Sequence, residues 1–252
     1  MPHLAPRLHI DQHLACITLR RPKVANRLEI QDLQTLEQHL AVVNQTADVR
    51  VLLLQSEGRH FCSGFNIGAV PGVDAGALFE RLTDAWENAR PITIAAIQGG
   101  VYGGATDLAL ACDFRLGTRA CEMFVPAARL GLHFYRGGMT RYVNRLGLGM
   151  AKRILLACET LDADAMLACG FLDRLYEDGA LLQAEAQALA QSLCELAPLA
   201  LDGMKRHLNA IARHELDPAQ LARDIARAGA SRDLAEGVQA WQERRTPRFT
   251  GC

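Results

Sequence analysis

The stretch from Pro91 to Asp113 constrains this chain most. Pro91 ends the helical pattern before it, and Ile92 to Gln98 then reads as a strand. Gly99-Gly100-Val101-Tyr102-Gly103-Gly104 turns that strand into an apolar helix running to about Cys112. A strand, a glycine-rich turn and a helix start leave the first N–H groups of the helix without intrahelical partners, at the positive end of its dipole. Such an end holds an anion, whether a permanent phosphate or a transient oxyanion. Asp107 follows Gly104 by three residues and shares its helical face, so a hydrogen-bond donor and a proton carrier would face one pocket. The spacing alone leaves a plainer reading open. An Asp in a first helical turn complements the dipole by about 0.3–1 kcal/mol, and the glycines also suit tight packing or positive φ.

The same alternation recurs along the chain and defines an α/β class. Leu14 to Leu19 is β-prone, Ile30 to Val43 carries Leu33, Leu36, Leu40 and Val43 at helical spacing, and Val49 to Gln55 is an apolar run typical of a strand covered on both faces. Asp74 to Arg90 is helical through Leu78, Leu82, Trp86 and Ala89, and Asp113 to Leu116 reads as a further short strand. From Gly137 onward the pattern is almost entirely helical, with Leu146 to Leu156, Ala180 to Leu196 and Pro218 to Ala228 rich in helix formers. The expectation is a core over residues 1–195 and a helical region over 196–252 whose apolar faces need each other or a second copy.

Composition removes several function classes. With Lys+Arg at 27 against Asp+Glu at 28, no net field draws the chain to nucleic acid or to an anionic membrane. No apolar run approaches the roughly 18–20 residues of a membrane span. The first residues lack the features of a secretion signal, so the expected location is cytoplasmic, with the eight cysteines reduced. Neither C-x-x-C nor H-E-x-x-H occurs, and no metal is expected. Dinucleotide and P-loop fingerprints are absent, as is G-x-S-x-G.

Read together, several segments resemble the crotonase superfamily, the enoyl-CoA hydratase/isomerase family. Arg21-Pro22-Lys23-Val24-Ala25-Asn26 is similar to its R-P-x-x-x-N segment. Phe61-Cys62-Ser63-Gly64-Phe65-Asn66-Ile67 resembles its first oxyanion loop, F-x-x-G-x-D-[IL], and Gly99 to Asp113 resembles the second. Arg129-Leu130-Gly131-Leu132, Gly137-Gly138 and Glu236 to Phe249 fall in matching order, so the likeness spans nearly the whole chain.

The resemblance implies a spiral of β-β-α turns with a helical C-terminal region, a homotrimer or dimer of trimers, and an acyl-CoA substrate, with coenzyme A present only as part of that substrate. It implies an enolate stabilised by the backbone N–H groups of Phe65 and Gly104, with Asp107 as the leading acid or base. Two departures bear on the reaction. Asn66 replaces the usual loop Asp, and Ala127 stands after Pro126, where hydratases carry a second glutamate. One carboxylate suits double-bond isomerisation, or weak hydration, better than full hydration. His133 and Tyr135 lie where other branches hold chemistry and are candidates to replace the missing carboxylate. Hydrolysis or decarboxylation of the thioester, or CoA binding without turnover, are the alternatives. The resemblance also sets Lys23, Ala25, Ser63, Asn66, Ile67, Gly103 and Phe249 against substrate or CoA, with Lys205, Arg244, Arg245 and Arg248 as further phosphate contacts. Cys62 and Ser63 read as packing and turn residues, since no base lies beside them.

Overall fold

Two central strands organise the chain because they are apolar on both faces. The computed structural model describes residues 4–66 and 75–252. In it β3 (Val51–Ser56) and β4 (Ile92–Ile97) pair in parallel, Val51 opposite Ile92. Successive side chains point to opposite faces. Leu52 and Leu54 therefore join Ala95 and Ile97 in one core, against Leu33, Leu36 and Leu40 of α1 (Ile30–Gln45) and Leu82 and Trp86 of α2 (Ala75–Glu87). Val51 and Leu53 join Ile94 and Ala96 in a second core under Leu182, Ala186 and Ala190 of α6 (Gly179–Cys194).

Around that pair the sheet runs β1-β2-β3-β4-β6-β9. Strands β1 (Arg7–Asp11) and β2 (Leu14–Leu19) form an antiparallel hairpin, while β6 (Phe114–Thr118) and β9 (Arg174–Tyr176) continue in parallel. A smaller sheet lies beside it, made of β5 (Val101–Tyr102), β7 (Glu122–Phe124) and β8 (Leu161–Asp162). Thus β4, β5 and α3 (Gly104–Leu110) make one β-β-α turn, and β6, β7 and α4 (Arg136–Leu155) make the next. This is the α/β spiral that the motifs implied.

The second half differs from its purely helical expectation. β8 and β9 interrupt it, and they are too short to show a period of their own. The helix expected from Leu146 starts ten residues earlier, at Arg136, because Arg141 is a buried charge in the apolar stripe and hides the pattern. It also breaks at Gly147, at φ 78° and ψ 157°. Beyond α5 (Ala163–Ala168) and α6, the chain ends in α7 (Pro198–Ala212), α8 (Pro218–Gly229) and α9 (Arg232–Glu243). Among the described residues no helix is long and apolar enough to cross a membrane.

Candidate active site

The site forms where two loops leave the carboxyl ends of β3 and β4, the usual place for ligands in open α/β sheets. Backbone bonds zip these loops together. Phe61 N–H donates to the Gly100 carbonyl at 2.9 Å, Tyr102 N–H donates to the Cys62 carbonyl at 2.9 Å, and Cys62 bridges Val101 in parallel. The early turn supports the first loop from behind. Ser63 N–H reaches the Ala25 carbonyl at 2.8 Å, and the Asn26 side chain donates to the Glu57 and His60 carbonyls, both at 2.9 Å.

At the junction the two chains approach more closely than a side chain permits. Gly64 has φ +91°, and a Cβ there would lie 2.8 Å from the Tyr102 carbonyl oxygen and 3.2 Å from the Gly104 nitrogen. The next residue, Phe65, is therefore carried alongside the start of α3. Gly104 is the first helical residue, so its N–H has no intrahelical acceptor. Phe65 N–H likewise has no acceptor among the described residues. Among the described residues neither donor is paired, and Gly64 brings the two close together.

Beneath them Asp107 is fully buried, in the first turn of α3. Arg141 meets it as a fork, Nε to Oδ1 at 2.8 Å and Nη2 to Oδ2 at 2.7 Å, and the Tyr135 hydroxyl donates to Oδ2 at 2.6 Å. A carboxylate offers about four lone-pair sites. Among the described residues three are taken, two on Oδ2 and one on Oδ1. Arg141 is only 1% exposed and also reaches Asp84 at 2.6 Å, Glu87 at 3.2 Å and the Thr83 hydroxyl at 2.7 Å. Burial alone would lower the Arg141 pKa, but its bonds to Asp107 and Asp84 and the charge of Glu87 raise it, so the guanidinium stays charged. Tyr135 is held well above the usual phenol range, first by burial and then by the Asp107 charge, so it stays a donor.

The expected residues divide clearly. Phe65, Gly103, Gly104, Asp107 and Tyr135 gather at the site, with Ser63 and Asn66 on its loop and Ala25 and the exposed Lys23 on the neighbouring turn. Asn66 donates to Glu29 at 2.9 Å, where the Asp of the usual motif would set two carboxylates together. His133 is exposed, its Nδ1 lies 2.7 Å from the Phe134 carbonyl, and it does not reach Asp107. Ala127 begins a short 3-10 turn with its side chain against the core. Cys62 is buried, which pushes its thiol up to about 12, and it donates to the Asn26 carbonyl at 3.1 Å. Ile67 lies outside the described residues.

Of the five remaining candidates, Phe249 and Lys205 sit at the other end of the sheet and Arg244, Arg245 and Arg248 follow α9. The Phe249 carbonyl accepts from Arg50, just before β3, at 2.7 Å, and Lys205 is buried on the Pro91 carbonyl and Asp113, both at 2.7 Å. Arg245 pairs with Glu236 at 2.6 Å, and the Arg248 N–H donates to the same carboxylate at 2.7 Å. Arg244 ends α9 in the left-handed region. Six-residue strands put roughly 20 Å between the two ends.

Sequence reading missed Arg141, Thr83, Asp84 and Glu87. A signal existed: Asp84 and Glu87 share one face of α2 at three-residue spacing, as Arg141 and Arg145 do on α4 at four. Only the fold brings those faces together.

Comparison with known proteins agrees with this geometry. The sequence model of the enoyl-CoA hydratase/isomerase family matches residues 9–252. The crotonyl-CoA hydratase of Syntrophomonas wolfei is 27% identical over 96% of each chain. The carnitinyl-CoA dehydratase of Citrobacter koseri is 29% identical over 98% of this chain and all of its own. The crystal structure of enoyl-CoA hydratase from Bacillus anthracis superposes with a TM-score of 0.88 at 26% identity, covering 99% of this chain and 100% of that one. The chain belongs to the enoyl-CoA hydratase/isomerase family of enzymes.

Proposed function

We propose that the chain acts on acyl-CoA thioesters through an enolate, and that its favoured reaction is double-bond isomerisation. One observation carries this reading: two backbone donors, at Phe65 and Gly104, without acceptors among the described residues, lie by the helix turn that holds the Asp107 carboxylate, whose Oδ1 accepts one hydrogen bond where Oδ2 accepts two. The thioester oxygen sits on the two N–H groups, each such donor being worth about 3 kcal/mol as charge develops. Asp107 Oδ1 removes a proton from the carbon next to the carbonyl, the electron pair moves onto the oxygen, and the same proton returns two carbons further along. Because the proton comes back, no second acid is needed, and Ala127 costs this reaction little. Hydration has to deliver both a water and a proton, and it runs at low rate here.

Lys23, Ala25, Ser63, Asn66 and Gly103 form the rim that meets the CoA moiety, which arrives with the substrate; no separate cofactor or metal takes part. Residues 196–252 serve assembly into trimers. Trp241 of α9 is 86% exposed with Leu234 and Val238 beside it on the same face, an arrangement suited to a second copy. A cytoplasmic setting fits eight cysteines without a disulfide.

The test is turnover of 3-enoyl-CoA and crotonyl-CoA, with deuterium exchange at the α-carbon followed by mass spectrometry. Asp107→Asn should lower exchange and product by about 10²- to 10⁴-fold while the fold persists. An unchanged rate rejects Asp107 as the carrier. Binding of the esters without exchange rejects the enolate reading in favour of a non-catalytic CoA-binding protein.

A further inference from the structure

Phe79, on α2, packs against the start of α3. It is only 3% exposed, and its ring tip faces Gly104: a Cβ built there would meet Phe79 Cε1 and Cζ at 3.0 Å each. Its ring lies between two others, 6.2 Å from Phe65 on the first loop and 6.3 Å from Tyr135 above Asp107. The row goes on through Phe134, stacked on Tyr135 at 4.8 Å, to Tyr142, set edge-on to Phe134 at 5.6 Å. One aromatic wall therefore runs from the first loop to α4, with Phe79 second in the row and in contact with Gly104.

The geometry points to Phe79 as the residue that limits the acyl group, and to short-chain acyl-CoA thioesters, of about four carbons, as the substrate class. The inference rests on the enolate reading above. A thioester oxygen on the Gly104 N–H leaves the next carbons between Asp107 and the Phe79 ring. A short acyl group ends there, while each added methylene must displace a ring that is already packed into the core. A misfit of one methylene in an apolar pocket changes kcat/KM by roughly 10- to 200-fold. Phe65 narrows the approach, but it is only partly buried, and the ring that meets Gly104 belongs to Phe79.

The experiment compares the wild-type protein with Phe79→Leu and Phe79→Ala on two readouts. One is kcat/KM for four- and eight-carbon enoyl-CoA. The other is calorimetric binding of the saturated butanoyl- and octanoyl-CoA, which needs no turnover. Leu keeps much of the apolar volume and guards against loss of fold in the Ala variant. The wild type should favour the four-carbon ester by at least about tenfold in both readouts. Phe79→Leu should shrink that ratio and Phe79→Ala should abolish or invert it. Equal wild-type binding of both lengths, or an unchanged ratio in the folded Leu variant, overturns the role of Phe79 and leaves the enolate reading standing. Failure to bind either ester overturns both.

Discussion

Two arginines are buried to nearly the same degree in this protein, and they do opposite work. Arg115, in β6 at 5% exposure, donates to the Phe171 carbonyl at 2.6 Å and the Cys112 carbonyl at 2.7 Å, and to Asp173 at 3.0 Å. Arg141, at 1%, spends its donors on the carboxylates of Asp107, Asp84 and Glu87 and on the Thr83 hydroxyl, with no carbonyl among them. Burial lowers the pKa of Arg115, and one half-open carboxylate does not reverse it; around Arg141 the carboxylates outweigh burial and raise it. The first stitches β6 to the chain before β9. The second gathers three carboxylates from α2 and α3 around one charge, and in the proposed mechanism that charge seats Asp107.

The strongest way to break this contrast is to remove each charge. Arg141→Met leaves Asp107 and Glu87 buried; Arg145 still meets Glu87, and Arg213 still meets Glu87 and Asp84, but among the described residues neither pairs with Asp107. It should cost about 3–5 kcal/mol of stability. Arg115→Met strands the Phe171 carbonyl and leaves the Asp173 carboxylate to water, while Arg145 still serves the Cys112 carbonyl, and it should cost about 1–3 kcal/mol. Urea denaturation checks the order; equal losses would erase the distinction.

Arg141→Lys sharpens it further. A lysine keeps the charge but not the fork, so Asp107 loses one of its two guanidinium bonds and its fixed orientation. The expected outcome is a fall of about tenfold in kcat at little change in KM, since a charged hydrogen bond is worth about 1.5–3 kcal/mol. Arg115→Lys should leave both constants unchanged and lower only the melting temperature. A matching loss of kcat in both lysine variants would show that fold strain, rather than the seat of Asp107, limits the rate.

This contrast also marks what the sequence could show. The strands Leu14 to Leu19 and Ile92 to Ile97 and the helix from Ile30 were legible because they are long enough to display their period. The two glycine loops that carry Phe65, Gly104 and Asp107 were legible because each is a contiguous motif. Arg141 was not. Its partners come from α2 and α3, and a charged residue in a helical stripe reads as solvent-facing until the fold closes over it. The place of Phe249 near the start of β3 was not legible either, because a motif at the chain end carries no information on which end of the sheet it reaches.

The pH dependence of stability gives a smaller effect, confined to the Arg141 side. Tyr135 is raised well above its ordinary value of 10.0 in the folded protein, by burial and by Asp107. A raised pKa means that the folded state binds the proton more tightly than the unfolded chain does. The Tyr135 contribution is thus fully present below about pH 10 and is lost as pH rises above it. Comparing wild type with Tyr135→Phe by urea denaturation at pH 8 and pH 11 should show the wild type losing more stability. Equal losses would mean that the hydroxyl does not depend on Asp107.

The smallest predicted effect is also the most local, because one residue touches both regions. The Cys112 carbonyl accepts from Arg115 at 2.7 Å and from Arg145, the neighbour of the Arg141 cluster, at 2.6 Å. Its thiol is buried, which with the Asp113 charge pushes its pKa up to about 12, whereas Cys252 is exposed. Thiol reagents attack the thiolate, so at pH 8 Cys252 should label at once and Cys112 only through opening of the structure. Arg115→Lys loosens the chain directly under Cys112 and should speed its labelling by several-fold with global stability held within about 1 kcal/mol. Arg141→Lys leaves both bonds to that carbonyl in place and should not change it. Mass-resolved labelling of the two variants therefore reads the division between the stitch and the site at a single sulfur, and equal acceleration in both would show that the two arginines belong to one cooperative unit.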